Sequence, residues 1–281
     1  MERRQFVGHD GVRLSADVGG DPSRPAVILL HGVGQTRHSW RRAAHALVAE
    51  GHHVVALDLR GHGDSDWSAT GDYAIGAFTQ DLVAVLRQVP PRPALVGASL
   101  GGMIAMLTVG ESAAPIAGAL VMVDIAPKLN QQGADRIKAF MESHPQGFAS
   151  VEEVADAVAT YLPHRPRPKD VSGLRRNLRL GADGRYRWHW DPALNAAHAQ
   201  QGDQAILLRC ETAARGVRIP TLLVRGSASE VVDDEGVRHL LELIPSASYI
   251  DVAGATHMVS GDDNDAFSRS VLDFLQANPT G

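Results

Sequence analysis

The stretch LVGASLGG at residues 95–102 decides how this chain is interpreted. It places Ser99 between glycines, directly after a run of small apolar residues. A serine before a helix most often serves as a helix cap, so the pentapeptide taken alone indicates little. The surrounding sequence therefore has to show whether Ser99 lies in a strand-to-helix turn, where its hydroxyl would be a candidate nucleophile.

Around this stretch, strand signals alternate with helix signals. Short apolar runs rich in Val and Leu are typical of strands buried on both faces, and segments with apolar residues at helical spacing separate them. That order predicts parallel strands joined by crossover helices, after an N-terminal hairpin formed by RQFV and VRLSADV. The predicted buried strands are AVILL (26–30), HVVALD (53–58), PALVGA (93–98), ALVMVD (119–124), PTLLVRG (220–226) and SYIDV (248–252).

The pattern changes between the fourth and fifth of these strands. Helical runs such as VEEVADAVATYL occur there without a convincing strand signal. Residues 127–219 also hold 14 of the 27 Lys and Arg residues but only 10 of the 32 acidic residues. We therefore predict a mainly helical cap over residues 127–219, inserted into a core formed by residues 1–126 and 220–281.

Composition limits the classes of function. The 281 residues carry a net charge of −5, which argues against a general affinity for nucleic acid or anionic membranes. No segment approaches the apolar length needed to span a bilayer, and no apolar stretch follows the basic start, so we expect a cytoplasmic protein. The single cysteine, Cys210, is expected to pack in the core. The sequence leaves the oligomeric state open.

Candidate catalytic groups follow from where the motifs fall on this map. Ser99 lies between a buried strand and a helix, so the N–H of Leu100 would point at an oxyanion formed at the serine. The loop HGVGQTRHSW after the first buried strand offers the N–H of Val33 as a second donor, and we expect His31 there to hydrogen-bond to backbone. His257, in VAGATHM beyond the last strand, is the candidate general base.

With these motifs in this order, the chain resembles the alpha/beta-hydrolase superfamily over nearly its whole length. The resemblance rests on LLHGVG, ALDLRGHGDSD, LVGASLGG, LLVRG and GATHM. It implies an α/β fold with a mostly parallel sheet flanked by helices and a cap after the sixth strand. It also implies Ser99 as nucleophile, His257 as base, and Val33 and Leu100 as oxyanion-hole donors. Epoxide hydrolases and haloalkane dehalogenases of this fold carry aspartate at the elbow, so Ser99 argues against both reactions.

The acid of the triad is where this chain departs from the family pattern. The family often has Gly-Xaa-Xaa-Asp after the seventh strand, whereas this chain reads RGSASEVVDDE at residues 225–235. Ser229 occupies the usual register and Glu230 follows one residue later. We favour Glu230 as the acid. Asp124, at the end of the sixth strand, is the alternative because some members hold the acid there.

These observations predict a cofactor-free serine hydrolase that acts on a small-molecule carboxylic ester or lactone, with no metal, nucleic-acid or membrane partner. Two alternatives are carbon–carbon bond hydrolysis of a diketone-like substrate and a receptor-type hydrolase that turns its ligand over slowly. The cap segment YRWHWD (186–191) holds Trp188 and Trp190, which would form either the core of the cap or an aromatic wall over the substrate.

Overall fold

The computed structural model of the chain describes residues 1–163, 167, 169–195, 203–257 and 265–280. Strands form at every position where the sequence predicts a buried strand, with bounds within about one residue of the prediction. The strands are β1 (Glu2–Val7), β2 (Arg13–Gly19), β3 (Ala26–Leu30), β4 (His53–Leu57), β5 (Ala94–Ala98), β6 (Ala119–Val123), β7 (Leu178–Leu180), β8 (Tyr186–Trp188), β9 (Thr221–Gly226) and β10 (Ala247–Val252).

Eight of these strands form one sheet in the order β1-β2-β4-β3-β5-β6-β9-β10. The hairpin β1–β2 is antiparallel and joins β4 in antiparallel pairing, while the other neighbours pair in parallel. The predicted mostly parallel α/β sheet is therefore confirmed. Since parallel strands end at one edge, the loops after β3, β5, β6, β9 and β10 meet at that edge.

Helices cover both faces of the sheet because side chains alternate along each strand. Val27 and Leu29 of β3 pack into one apolar cluster, and Ile28 and Leu30 pack into the other. None of the helices in the described ranges is long and apolar enough to cross a membrane. The helices are α1 (Arg41–Ala49), α2 (Ile75–Leu86), α3 (Leu100–Gly110), α4 (Gln131–Glu142), α5 (Val151–Tyr161), α6 (Asp203–Gly216), α7 (Asp234–Leu243) and α8 (Asp265–Ala277).

Side chains from the helices pack into these two apolar clusters, one on each face of the sheet. Phe267 of α8 packs against Trp40 with ring centroids 6.1 Å apart on one face of the sheet. Cys210, on α6, is 1% exposed in the cluster on the other face, as expected for a packing residue. Residues 262–264, directly before α8, lie outside the described residues.

The segment between β6 and β9 contains α4, α5, a small antiparallel sheet of β7 and β8, and α6. The two short strands were not expected, since three residues each are too few to show a period. Helix α6 packs against α3, where the backbones of Gly110 and Gly216 approach so closely that neither position has room for a Cβ atom. This last helix of the inserted segment therefore lies in the helical layer of the sheet. The exact borders of the cap stay a prediction.

Candidate active site

Ser99 occupies a sharp turn between β5 and α3. Its backbone has φ 47° and ψ −117°, a conformation that costs a non-glycine residue energy and persists only when the surroundings enforce it. The Ser99 N–H donates to the carbonyl of Val123 at 3.0 Å, and the Ser99 carbonyl accepts the N–H of Met103 at 2.9 Å. The turn is thus fixed from both sides, and the side chain is left facing a cavity.

Glycines permit this turn because the backbone segments around it nearly touch. A Cβ atom on Gly97 would overlap the backbone of Gly101, and one on Gly101 would overlap the carbonyl of Leu30. Any larger residue at either position would push α3 away from the sheet and with it the turn that holds Ser99. This explains physically why small residues flank the serine.

The loop after β3 lies directly against the candidate nucleophile. A Cβ atom built on Gly32 would lie 3.2 Å from the Cβ atom of Ser99. Val33 and Leu100 line the same cavity as Ser99. Leu100 is the first residue of α3, so helix geometry gives its N–H no partner within the helix. The structure therefore brings both predicted oxyanion donors to the cavity that Ser99 lines, and their role stays a prediction.

Two buried histidines hold the backbone of this loop. Nε2 of His31 accepts the N–H of Leu59 at 3.0 Å, so its Nδ1 carries the proton and donates to the carbonyl of Gly32 at 2.8 Å. Nε2 of His62 accepts the N–H of Gly34 at 3.2 Å. Burial lowers the pKa of His31 to about 3, so the ring is neutral near pH 7. These contacts match the backbone hydrogen bonding expected for His31.

His257 pairs with a carboxylate at the end of β6. Its Nδ1 lies 2.7 Å from Oδ2 of Asp124, which is fully buried. The other oxygen, Oδ1, accepts the N–H of Gly226 at 3.1 Å. Asp124 itself has a positive φ of 50°, a second strained residue at this edge of the sheet. The imidazole is therefore oriented by a carboxylate that the backbone of β9 also fixes.

This geometry favours the alternative, Asp124, over Glu230 as the partner of His257. The carboxylate of Glu230 accepts a hydrogen bond from Arg136 of α4 and is 47% exposed, whereas Asp124 contacts the imidazole. Ser229, which occupies the register where the family often has aspartate, donates its hydroxyl proton to Oδ2 of Asp124 at 2.6 Å. The carboxylate beside the imidazole thus lies at the end of β6, and the serine in the usual register hydrogen-bonds to it.

The cavity at Ser99 has a volume of about 220 Å³ and a mainly apolar wall. Part of the wall belongs to α4, so the inserted segment closes the space above the sheet edge. Charged side chains also border it, including Lys138 and Glu142 of α4. The apolar part of the wall includes Val33, Leu100, Met103, Ile125, Leu129 and Ile137.

Trp188 and Trp190 lie within the inserted segment and not in the wall of this cavity. Their rings stack with centroids 4.9 Å apart, and Trp188 also packs against Phe140 and Phe148 at 5.6 and 5.4 Å. Trp190 is only 4% exposed. Of the two interpretations left open by the sequence, the structure favours a role in the core of the cap over an aromatic wall.

Sequence reasoning missed His189, which lies between these two tryptophans. It is 2% exposed and reaches the loops that follow β3 and β4, where it bonds with Gly34 and Gly63. The alternation of apolar and polar residues in WHWD could have indicated this, because in extended backbone His189 points to the opposite face from the two tryptophans.

Comparisons with known proteins agree with this architecture. A family model described as alpha/beta hydrolase fold matches residues 25–263. Esterase Rv0045c from Mycobacterium tuberculosis is 33% identical over 228 residues, covering 78% of this chain and 71% of that protein. The sn-1-specific diacylglycerol lipase ABHD11 of Mus musculus is 29% identical over 263 residues, covering 91% of this chain and 82% of the relative.

Among solved structures, that of E-2-(acetamidomethylene)succinate hydrolase superposes with a TM-score of 0.84 over 98% of this chain and 99% of that chain. Its sequence identity of 21% supports a shared fold only. The similar esterase and lipase support ester hydrolysis as an activity of this group of proteins. The family match covers the sheet from β3 onward, the Ser99 turn and His257, and the chain therefore belongs to the alpha/beta hydrolase family.

Proposed function

We propose that this protein is a serine hydrolase that cleaves a carboxylic ester or lactone through an acyl-enzyme intermediate. The observation that carries the proposal is a strained serine, Ser99, facing an apolar cavity at the sheet edge where Asp124 and His257 are paired at 2.7 Å. The names of the similar esterase and lipase point to the same chemistry. A nucleophile, a base and an orienting acid are the three roles that acyl transfer needs.

In the first step, Nε2 of His257 takes the hydroxyl proton of Ser99 while Oγ attacks the carbonyl carbon. The carbonyl oxygen becomes an oxyanion, which accepts hydrogen bonds from the N–H groups of Val33 and Leu100. Asp124 holds the imidazole in the tautomer that leaves Nε2 free to accept, and it stabilises the imidazolium that forms. The imidazolium then gives its proton to the leaving alkoxide, and the acyl group stays on Ser99.

In the second step, water attacks the acyl carbon while His257 takes a proton from it. The second tetrahedral intermediate collapses, the bond to Oγ breaks, and His257 returns the proton to Ser99. The products are a carboxylic acid and an alcohol, or a single hydroxy acid when the substrate is a lactone. No step requires a redox change or an added group.

The cavity wall argues for an apolar acyl group of modest size. A volume of about 220 Å³ lies below the range of drug-sized ligand pockets, and its lining is mainly aliphatic. Each extra buried methylene contributes about 0.8 kcal/mol to binding until the space is filled. We therefore expect short to medium acyl chains to be preferred over acetate and over long chains.

A fluorophosphonate probe combined with a panel of esters and lactones tests the proposal. We expect the probe to label Ser99, located by mass spectrometry of the labelled peptide, and to block turnover of at least one ester or lactone. The Ser99→Ala variant is the control and should be neither labelled nor active. Turnover of a diketone-like substrate without ester turnover would favour carbon–carbon bond hydrolysis. Tight binding of a small ligand without turnover would favour a receptor.

A further inference from the structure

His189 joins the cap to the two loops that approach the candidate nucleophile. Its Nδ1 accepts the N–H of Gly63 at 2.7 Å, so Nε2 carries the proton and donates to the carbonyl of Gly34 at 3.2 Å. Burial, followed by the nearby His62 imidazole, lowers the pKa of His189 to about 3. The ring is therefore neutral near pH 7 and fixed in one tautomer by two backbone groups.

The segment that carries His189 is fastened to the same loops by other contacts. The hydroxyl of Tyr73 donates to Asp191 at 2.5 Å, and the N–H of Asp191 donates to the carbonyl of Gly61 at 2.9 Å. Arg179, on the partner strand of the cap hairpin, donates to the carbonyl of Gly63 at 3.0 Å. His189 thus projects from an anchored part of the cap and is held on a fixed path toward Gly34.

Two peptide planes, joined by one hydrogen bond, connect this imidazole to the candidate oxyanion donor. The Gly34 carbonyl that His189 holds shares its peptide plane with the N–H of Gln35. That N–H donates to the carbonyl of Gly32 at 3.1 Å. The Gly32 carbonyl shares its own plane with the N–H of Val33, so its orientation sets the direction in which that N–H points.

Without these hydrogen bonds the backbone of the loop after β3 could adopt other conformations. Gly34 has a positive φ of 72°, and glycine tolerates many other values. From the core side, His31 fixes the peptide plane that contains the Gly32 carbonyl. His62 fixes the neighbouring plane, which contains the Gly34 N–H. Only His189, among the histidines bonded to this loop in the described residues, comes from the cap.

We infer that His189 is a positioning residue for the oxyanion hole: when the cap is seated, its imidazole fixes the Gly34 carbonyl and thereby aims the Val33 N–H at the reacting carbonyl. The inference rests on the proposed ester hydrolysis. Under this inference the cap helps to position the oxyanion hole and also forms part of the cavity wall. A donor displaced by a fraction of an ångström stabilises an oxyanion less, since the stabilisation depends on close, directed hydrogen bonds.

Two substitutions at His189 separate positioning from ring packing. His189→Phe keeps an aromatic ring but removes both hydrogen bonds, whereas His189→Gln keeps an amide N–H that can still donate to Gly34. We expect His189→Phe to lower kcat for an ester about 10- to 100-fold with little change in KM, and His189→Gln to recover most of the loss. His45→Phe, at an exposed position of α1, is the matched control and should behave as wild type.

A transition-state analogue supplies a readout that a merely structural role would not move. A trifluoromethyl ketone forms a tetrahedral oxyanion on the serine, so its affinity should fall in His189→Phe by about the same factor as kcat. Hydrogen exchange of the Gln35 and Gly34 amides should accelerate in that variant and not in the control. The melting temperatures of all variants identify the conditions under which each is fully folded.

The outcomes distinguish this inference from the proposed function. If folded His189→Phe keeps kcat and analogue affinity within twofold of wild type, the positioning role is wrong. Wild-type exchange rates at Gln35 and Gly34 in His189→Phe would also overturn it. If wild-type protein turns over no ester and Ser99 resists the fluorophosphonate, the proposed function fails. The exchange measurement would then still decide whether His189 holds the loop.

Discussion

Asp124 and His257 lie 133 positions apart in the chain, yet their side chains are joined by a hydrogen bond of 2.7 Å. Asp124 directly follows β6, and His257 follows β10, the strand at the edge of the sheet beyond β9. The Ser99 N–H bonds to Val123, the residue directly before Asp124. The turn that holds Ser99 and the carboxylate that contacts His257 therefore both lie at the carboxyl end of β6.

Substitution of the two candidate acids should have opposite consequences. Asp124→Asn should reduce kcat by about 10⁴, because an amide at this position no longer holds the imidazole in the useful tautomer. Glu230→Gln should keep most of the activity, since its carboxylate bonds with Arg136 near the surface. Steady-state kinetics with one ester, together with the melting temperatures, check this. An inactive Glu230→Gln beside an active Asp124→Asn would return the acid to the loop after β9.

The sequence predicts the fold well because buried parallel strands leave an unmistakable pattern. The apolar run AVILL becomes β3 with its predicted bounds, and the small residues around Ser99 become the strained turn. The sequence pattern favours Glu230 over Asp124, because a sequence register does not show which carboxylate lies beside His257 in space. Because Ser229 stands where the family often has aspartate, its neighbour Glu230 becomes the favoured candidate. Ser229 in fact hydrogen-bonds Asp124, the carboxylate that contacts the imidazole.

The orientation of cap residues was similarly beyond the sequence. YRWHWD shows that aromatic residues alternate with polar ones, but not which face meets the core loops. The structure turns His189 toward Gly34 and stacks Trp188 on Trp190 within the segment between β6 and β9. Long-range pairing of this kind depends on how the cap docks, and a local pattern carries no information about docking.

The stability of the protein should fall with acid over a defined range. In the unfolded chain His31 and His189 bind protons below their ordinary pKa of 6.5, whereas in the folded protein burial lowers both pKa values to about 3. The unfolded state therefore binds more protons between these values. The free energy of unfolding should decrease as pH falls from about 6.5 toward 3, by up to about 1.4 kcal/mol per pH unit for each histidine, and the slope vanishes above about pH 8.

Urea unfolding at pH 7 and pH 5 measures this dependence. His189→Gln should lose less stability between the two pH values than the wild type does, because it removes one group that gains a proton on unfolding. His45→Gln, at an exposed site, should keep the wild-type difference. An unchanged difference in His189→Gln would contradict the account.

A buried ion pair beside the loop that follows β3 should be important for stability. Arg37 is 3% exposed and Asp58 is fully buried, and the two bond through both the guanidinium and the Arg37 N–H. Arg37→Met leaves the Asp58 charge without its cation and should lower the free energy of unfolding by about 3–5 kcal/mol. Arg3→Met removes an exposed pair with Asp64 and should cost less than about 1 kcal/mol. Equal losses in the two variants, measured by urea unfolding, would refute this difference.

The cavity wall should determine the preference for acyl length. Leu129 lines the cavity, and Leu129→Trp fills part of its volume of about 220 Å³. We expect kcat/KM for a hexanoyl ester to fall about 10-fold or more while that for the acetyl ester changes little, since each excluded methylene costs about 1–3 kcal/mol of transition-state binding. Leu180→Trp, at a site 64% exposed, is the control and should leave the ratio of the two rates unchanged. Equal effects on both esters would show that the acyl chain lies elsewhere.

The central claim is that an acyl group becomes bound to Ser99, and rapid acid quenching followed by mass spectrometry tests it most directly. Mixed with a p-nitrophenyl ester, the protein should release a burst of p-nitrophenol close to one equivalent when deacylation is slow, and the quenched protein should carry the acyl mass on the peptide containing Ser99. Ser99→Ala should show neither, with turnover lower by about 10⁴ to 10⁶. An adduct on another residue, or turnover by Ser99→Ala above about a tenth of the wild-type rate, would contradict the account.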